Sequence, residues 1–222
     1  REWIDMSGAL QAVFQNQRSF GLAIGAAYQG GYYAGQISTS GNGVATHNLV
    51  IGPISSAESS AKKWNADNGN ITGTNSTIDG PANTAAMVAY GAPCEAAIFC
   101  DDLTIGGFSD WYMPAKNELE ICYYNLKPTT TNNQTGSGIN ANAVPARASN
   151  YTTGSPAQTS AADFVTSTGA QAFTASSLPN AYWASTQLSP SIGAYQNFSS
   201  GYQDGTQKNQ NNRVRAVRRV AL

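Results

Sequence analysis

Three cysteines and one histidine bound the covalent and metal chemistry open to this chain. Cys94, Cys100 and Cys122 are an odd number and lack CxxC spacing, which argues against both a disulfide framework and a zinc site and predicts three reduced, buried thiols. Such thiols suit assembly in a reducing compartment. His47 is the single histidine. Its solitude removes most histidine-dependent triads and histidine-rich metal centres, and its strand-like surroundings make it an ordinary residue. Glu118 and Glu120 lie two apart on an expected helix, so they face different directions and do not form a glycosidase pair. Asp67, Asp79, Asp101 and Asp102 offer oxygen ligands but no EF-hand spacing. No catalytic residue, metal site or cofactor is assigned from these groups.

The remaining chemistry is that of recognition. From the end of one expected strand to the start of the last, the chain presents Gln187, Ser189, Ser191, Tyr195, Gln196, Asn197, Ser199, Ser200, Tyr202, Gln203, Asp204, Gln207, Asn209, Asn211 and Asn212. The set resembles a paratope: Tyr supplies rigid amphipathic contact area, and Ser, Asn and Gly supply adaptable hydrogen bonding. Loops on a rigid scaffold are where binding groups usually lie. These positions are the expected receptor-binding residues. If they occupy exposed turns, replacing Tyr195, Asn197, Tyr202 and Asn209 by Ala costs only about 0.5 kcal/mol each.

Lys208, Arg213, Arg215, Arg218 and Arg219 belong to the same stretch, and no acid follows Asp204. They could attract an anionic polysaccharide. Nucleic acid is disfavoured by the pI of about 5.8. Arg213 and Arg215 alternate with Val214 and Ala216, as on a strand with one wet face. Asp110 is read as structural, bonding backbone amides, Arg215 or Arg218. Trp111 and Trp183 are read as core rather than as sugar-stacking rings.

Elements that position these residues can be traced along the chain. Ile4, Leu10, Val13 and Phe14 fit one helical stripe, so residues 1–20 are an expected connector or stalk-proximal helix ahead of a recognition domain over 21–222. Strands are expected at Tyr32–Ile37 and Val44–Ile51, joined through Ser40-Gly41-Asn42-Gly43. Helices are expected at Ala57–Asn65, capped by Ser55 or Ser56, at Ala82–Tyr90, at Cys94–Leu103, and at Pro114–Leu126 with Pro at the first position. Thr129–Ala175 reads as a long ordered insertion packed through Phe164, Val165 and Phe173. Strands follow at Tyr182–Leu188, Ile192–Phe198 and Arg213–Val220.

Of the 222 residues only 11% are charged, against roughly 25% in a usual soluble domain. The surface is therefore expected to be polar mainly through neutral groups. With 10% aromatics and a net charge of -1 the chain is expected to fold rather than stay disordered. It carries no run of 18 apolar residues that would insert into a membrane. It opens on Arg1 without a leader, and so reads as a fragment or processed product with a stalk expected before it.

Gly106-Gly107-Phe108-Ser109-Asp110-Trp111-Tyr112-Met113-Pro114, followed by Asn117-Glu118-Leu119, resembles the central signature of the DUF1566 family, also called the Legionella collagen-like protein C-terminal domain type. Tyr182-Trp183-Ala184-Ser185-Thr186 and the closing Val214-Arg215-Ala216-Val217-Arg218-Arg219-Val220 resemble its other two hallmarks. The resemblance spans roughly Gly30 to Val220. It implies an α+β, C-type-lectin-like fold, related to formylglycine-generating enzymes, with short antiparallel strands, several helices and long ordered loops. It also implies partly buried, paired arginines in the closing motif. For function it implies a non-enzymatic, homotrimeric receptor-binding protein of a phage tail fibre tip, of the retroelement-diversified variable type. Such a protein attaches the virion to a bacterial surface protein or glycan and meets other tail proteins through its N-terminal side. The alternative it implies is a bacterial cell-surface adhesin for sulfated polysaccharide. A reactive cysteine pair of the formylglycine-generating kind is not matched by Cys94, Cys100 and Cys122.

Overall fold

The computed structural model describes residues 21–176 and 178–222. The expected connector helix lies outside them. Among the described residues the architecture is mixed α+β, with two five-stranded sheets. In the first, β1 (Ala27–Tyr28), β2 (Gly31–Ile37), β3 (His47–Ile51) and β10 (Val217–Ala221) follow in order, and β5 (Ala143–Val144) also pairs with β2. In the second the order is β4 (Glu58–Lys63), β9 (Asn211–Arg215), β6 (Tyr182–Ser189), β7 (Ile192–Gln196) and β8 (Gln203–Gln207).

Alternation along the strands feeds two apolar cores. Leu49 and Ile51 of β3 enter one core and Val50 enters the other; Tyr182 and Ala184 of β6 join the first while Trp183 joins the second. Strands covered on both faces read as continuous apolar runs, which is why β2, β3 and β6 were visible in the sequence. Trp111 and Trp183 are 1% and 0% exposed, as expected of core rings. Their indole N–H groups donate to Phe108 O and Lys62 O.

Three of the expected helices form. Helix α2 (Gly80–Tyr90) is capped by Asp79, which accepts from the Ala82 amide, and α3 (Glu95–Asp101) follows it. Helix α4 (Lys116–Leu126) begins after Ala115, so Pro114 stands just ahead of the cap instead of at the first helical position. Glu118 reaches back to accept from the Ala115 amide, half of a capping box. Leu119, Cys122, Tyr123 and Leu126 are buried on the first core.

The expected helix over Ala57–Asn65 does not form. A single turn α1 (Ile54–Ala57) leads into strand β4, which pairs antiparallel with β9, Glu58 opposite Arg215 and Lys63 opposite Asn211. Tertiary pairing overrides local propensity here: β9 would otherwise lie on an open edge, and Trp64 is drawn under the sheet, its N–H donating to Ala184 O at 2.9 Å. The expected strand Arg213–Val220 divides at Ala216, with β9 in one sheet and β10 in the other. Ala216 ties the crossing down by donating to Ala57 O and accepting from Gly52 N. Strand β3 starts at His47, three residues late, because Val44 belongs to the turn and donates to the Asn42 side chain. Strand β7 stops at Gln196. Strand β8 was not anticipated, since Gln-Asp-Gly-Thr-Gln carries no apolar residue.

The 129–175 segment is ordered around short elements, with Phe164 and Phe173 buried and Val165 half-buried. Polar pins hold it. The buried Lys127 donates to Thr131 O and Pro156 O, Tyr123 donates to Asn133, and Arg215 donates to Gln171 O.

All three thiols are free and buried, as expected. Burial pushes the Cys94 thiol up to about 11 and raises Cys100 and Cys122 further. Their folded values exceed the unfolded ones, so their contribution to stability is present at neutral pH and is lost as pH rises through the folded values. We expect melting temperature to fall above about pH 9, beyond the unfolded thiol range of about 8.5, and to fall less in a variant with all three cysteines replaced by Ala. A flat alkaline profile in the parent would contradict this burial.

Candidate functional site

Strands β6, β7 and β8 form a meander whose two ends differ in character. Ile192 pairs with Gln207 at one end and Gln196 with Gln203 at the other, about 13 Å apart at the usual strand rise. The fifteen expected binding residues therefore do not gather into one patch. Gln187, Ser189, Ser191, Gln207 and Asn209 lie toward the first end, while Asn211 pairs with Lys63 of β4. Asn197, Ser199, Ser200 and Gln203 belong to the second, where Gln134 N donates to Ser200 O and Gln203 N to the Ser137 hydroxyl.

Several of them are not surface groups. Tyr195, Gln196, Asn197 and Asn212 are 7%, 1%, 7% and 0% exposed. Alternation along β7 turns Tyr195 onto the core that holds Trp64 and Trp183. Gln196 donates to Gly201 O, and the Asn197 carboxamide accepts from Ser199 N, closing the β7–β8 turn. Stability-neutral replacement of Tyr195 and Asn197 is thus corrected: both are structural. Tyr202 is half-buried, its ring edge-on to Tyr195 and its hydroxyl donating to the exposed Asp204 at 2.7 Å.

At the first end the organising group is Lys208, which is 0% exposed. Its ammonium donates to Gly69 O at 2.9 Å, to Pro190 O at 2.7 Å and to the Gln187 side chain, and lies 4.3 Å from the centre of the Trp64 ring. Its amide donates to Ser191 O and Asn68 Oδ1. One side chain thereby ties the β6–β7 turn, the β8–β9 turn and the 65–70 loop together. These oxygens, of the type an external cation takes, are occupied by an internal one. Burial lowers the Lys208 amine to about 8, so it remains charged at neutral pH. Lys208→Met keeps the stem but leaves buried carbonyls unpaired, and is expected to cost about 1–3 kcal/mol in a thermal melt that added calcium does not restore. Restoration by calcium would mean that the loop is a metal site.

On the turn held by this pin the surface has an apolar centre. Leu188 is 48% exposed and Ile192 is half-buried. Their side chains converge on Gly205, where an added Cβ would meet Ile192 at 2.4 Å and Leu188 at 2.8 Å. Ser189, Ser191, Gln207 and Asn209 frame it, all at least partly exposed. Neither Leu188 nor Ile192 was singled out in the sequence, since an apolar residue ending a strand reads as core. The neighbouring Ser189-Pro190-Ser191 turn was the available signal that Leu188 lies at the rim.

The basic run is not a surface for anions, which corrects the polysaccharide-attracting reading. Arg215 is 0% exposed, so the strand has no wet face there; its guanidinium donates to Gly52 O and Gln171 O and lies 4.7 Å from the Phe173 ring. Arg213 pairs with Glu58, Arg218 bidentately with Asp110, and Arg219 with Glu118. Glu118 and Glu120 are both 0% exposed and belong to separate networks, Glu118 with Tyr112 and Arg219, Glu120 with Arg147, Tyr151 and Asn140. His47 is half-buried beside Thr46 in a cleft of about 500 Å³ with Asp79, Asp101, Asp110 and Arg219. Among the described residues no three of His, Cys, Asp and Glu gather closely enough to hold a metal ion. With its value near 11 the Cys94 thiol is not a ready nucleophile at neutral pH. No helix among the described residues is long and apolar enough to cross a membrane.

Comparison with protein-family models and with curated proteins returns no match to this chain.

Proposed function

We propose that this chain is a non-catalytic recognition domain of C-type-lectin-like type that attaches a phage tail tip to a receptor on the bacterial surface. The observation that carries the reading is the Leu188–Ile192–Gly205 centre, framed by neutral polar side chains, on a turn that Lys208 ties down through Pro190 O. An apolar, desolvatable core with a polar rim is the usual anatomy of a protein-binding surface. Rigid backing lowers the ordering cost of binding, and the Lys208 pin provides it. Because the basic run is consumed in internal pairs, a protein receptor suits this surface better than a sulfated polysaccharide does. Support for the fold reading comes from β10, which brings the chain's last strand beside β3, and from the three family-like motifs, whose Trp111, Trp183, Arg215 and Arg218 all serve the core or its ion pairs.

Its test is adsorption of the particle, or of the isolated chain, to host cells beside a thermal melt. Leu188→Asp places a charge on an exposed strand end and is expected to change stability by only about 0.5 kcal/mol. Adsorption is expected to fall on the order of tenfold or more, the loss of a central anchor being worth at least about 1–2 kcal/mol. Full adsorption by the folded variant would reject this surface. Solution mass reports on the homotrimer proposed with it.

A further inference from the structure

A concave site lies away from the Leu188 end of the meander, between α4 and the 129–175 segment. Its lining comprises Tyr124, Arg147, Ser149, Asn150, Thr152 and Ser155, and its volume is about 220 Å³. That is below the roughly 300–1,000 Å³ of pockets for drug-sized ligands, and suits one small ring.

The floor is built rather than incidental. Arg147 lies over the Tyr124 ring, its guanidinium carbon 4.0 Å from the ring centre, and so presents a planar, weakly hydrated surface. From behind it is fixed by Glu120, which is 0% exposed and is also held by the Tyr151 hydroxyl at 2.6 Å and by Asn140. This pairing neutralises the cation, so the cleft has no net attraction for an anion. The Arg147 Nε is buried and has no hydrogen-bond partner among the described residues. Around the floor Ser149, Asn150, Thr152 and Ser155 stand exposed, each a neutral donor and acceptor. Thr152 Oγ is already oriented, accepting from Ser155 N at 3.0 Å.

A flat, weakly hydrated floor under a ring of neutral hydrogen-bonding groups matches a molecule with a C–H face and a hydroxylated edge. We infer that this cleft binds a single neutral pyranose unit, as a glycan contact separate from the Leu188 surface. The inference does not rest on the receptor-binding reading.

Saturation-transfer NMR with the full chain tests it, using methyl glycosides of neutral hexoses and N-acetylhexosamines beside glucuronate and a sulfated hexose. Transfer to at least one neutral glycoside is expected. It should fall at least tenfold in Asn150→Trp, whose indole would fill the cleft from an exposed position, and should be unchanged in Leu188→Asp. If Asn150→Trp does not melt like the parent, Ser149→Arg serves as the blocking variant with the same expectation. Absence of transfer to every neutral glycoside, transfer only to the anionic sugars, or undiminished transfer in a folded blocking variant would each overturn the assignment. Adsorption lost in Leu188→Asp but kept in the blocking variant would leave the receptor-binding surface standing whatever the sugar result.

Discussion

Trp183→Ala is expected to destabilise the fold by about 3–5 kcal/mol, the range for emptying a large aromatic site in a packed core. The ring is 0% exposed in the core it shares with Trp64, Trp111 and Val214, and its N–H satisfies Lys62 O in β4. Truncation therefore leaves a cavity and orphans a carbonyl on the strand that closes the second sheet. Chemical denaturation of parent and variant measures the difference. A loss below about 1 kcal/mol would place the residue among surface substitutions and reopen a sugar-stacking role for it.

Glu118→Ala should be comparably damaging, on the order of 3–5 kcal/mol, because it leaves the half-buried Arg219 with only the exposed Asp79 at 3.8 Å and strips a buried hydroxyl and two amides of their acceptor. The carboxylate accepts from Tyr112 Oη, from Arg219, and from the amides of Gly80 and Ala115. It thus joins the start of α2, the start of α4 and strand β10. Glu118→Gln retains the shape and should recover part of the loss. If the Ala variant melts like the parent, the network is not what holds these three elements together.

Helices α2, α3 and α4 were legible because punctuation and pattern agree there: Asp79 and Pro81 start α2, Gly91 stops it, and Leu119, Cys122 and Leu126 recur on one face of α4. Strand β4 was not, because Ala57-Glu58-Ser59-Ser60-Ala61-Lys62-Lys63-Trp64 has helical composition and spacing, while the need of β9 for a neighbour is a long-range fact. At the candidate site, composition was legible but orientation was not. Tyr195, Gln196, Asn197 and Asn212 have the residue types of a binding loop, yet strand alternation and a closed turn put them inside. Lys208 had the look of a surface cation and is a buried pin, whereas Leu188 had the look of core and is half-exposed. For Lys208 and Leu188 the side was decided by partners more than ten positions away, Gly69 and Pro190 for the one and Gly205 for the other, and local pattern carries no record of them.

Hydrogen exchange of the chain with and without receptor-bearing host envelopes tests the central claim most directly. Amides of Leu188–Ile192 and Gln203–Asn211 are predicted to gain protection on binding, while those of 147–155 change only if glycan is also engaged. Specific binding that leaves both of the first two segments unprotected would contradict the account.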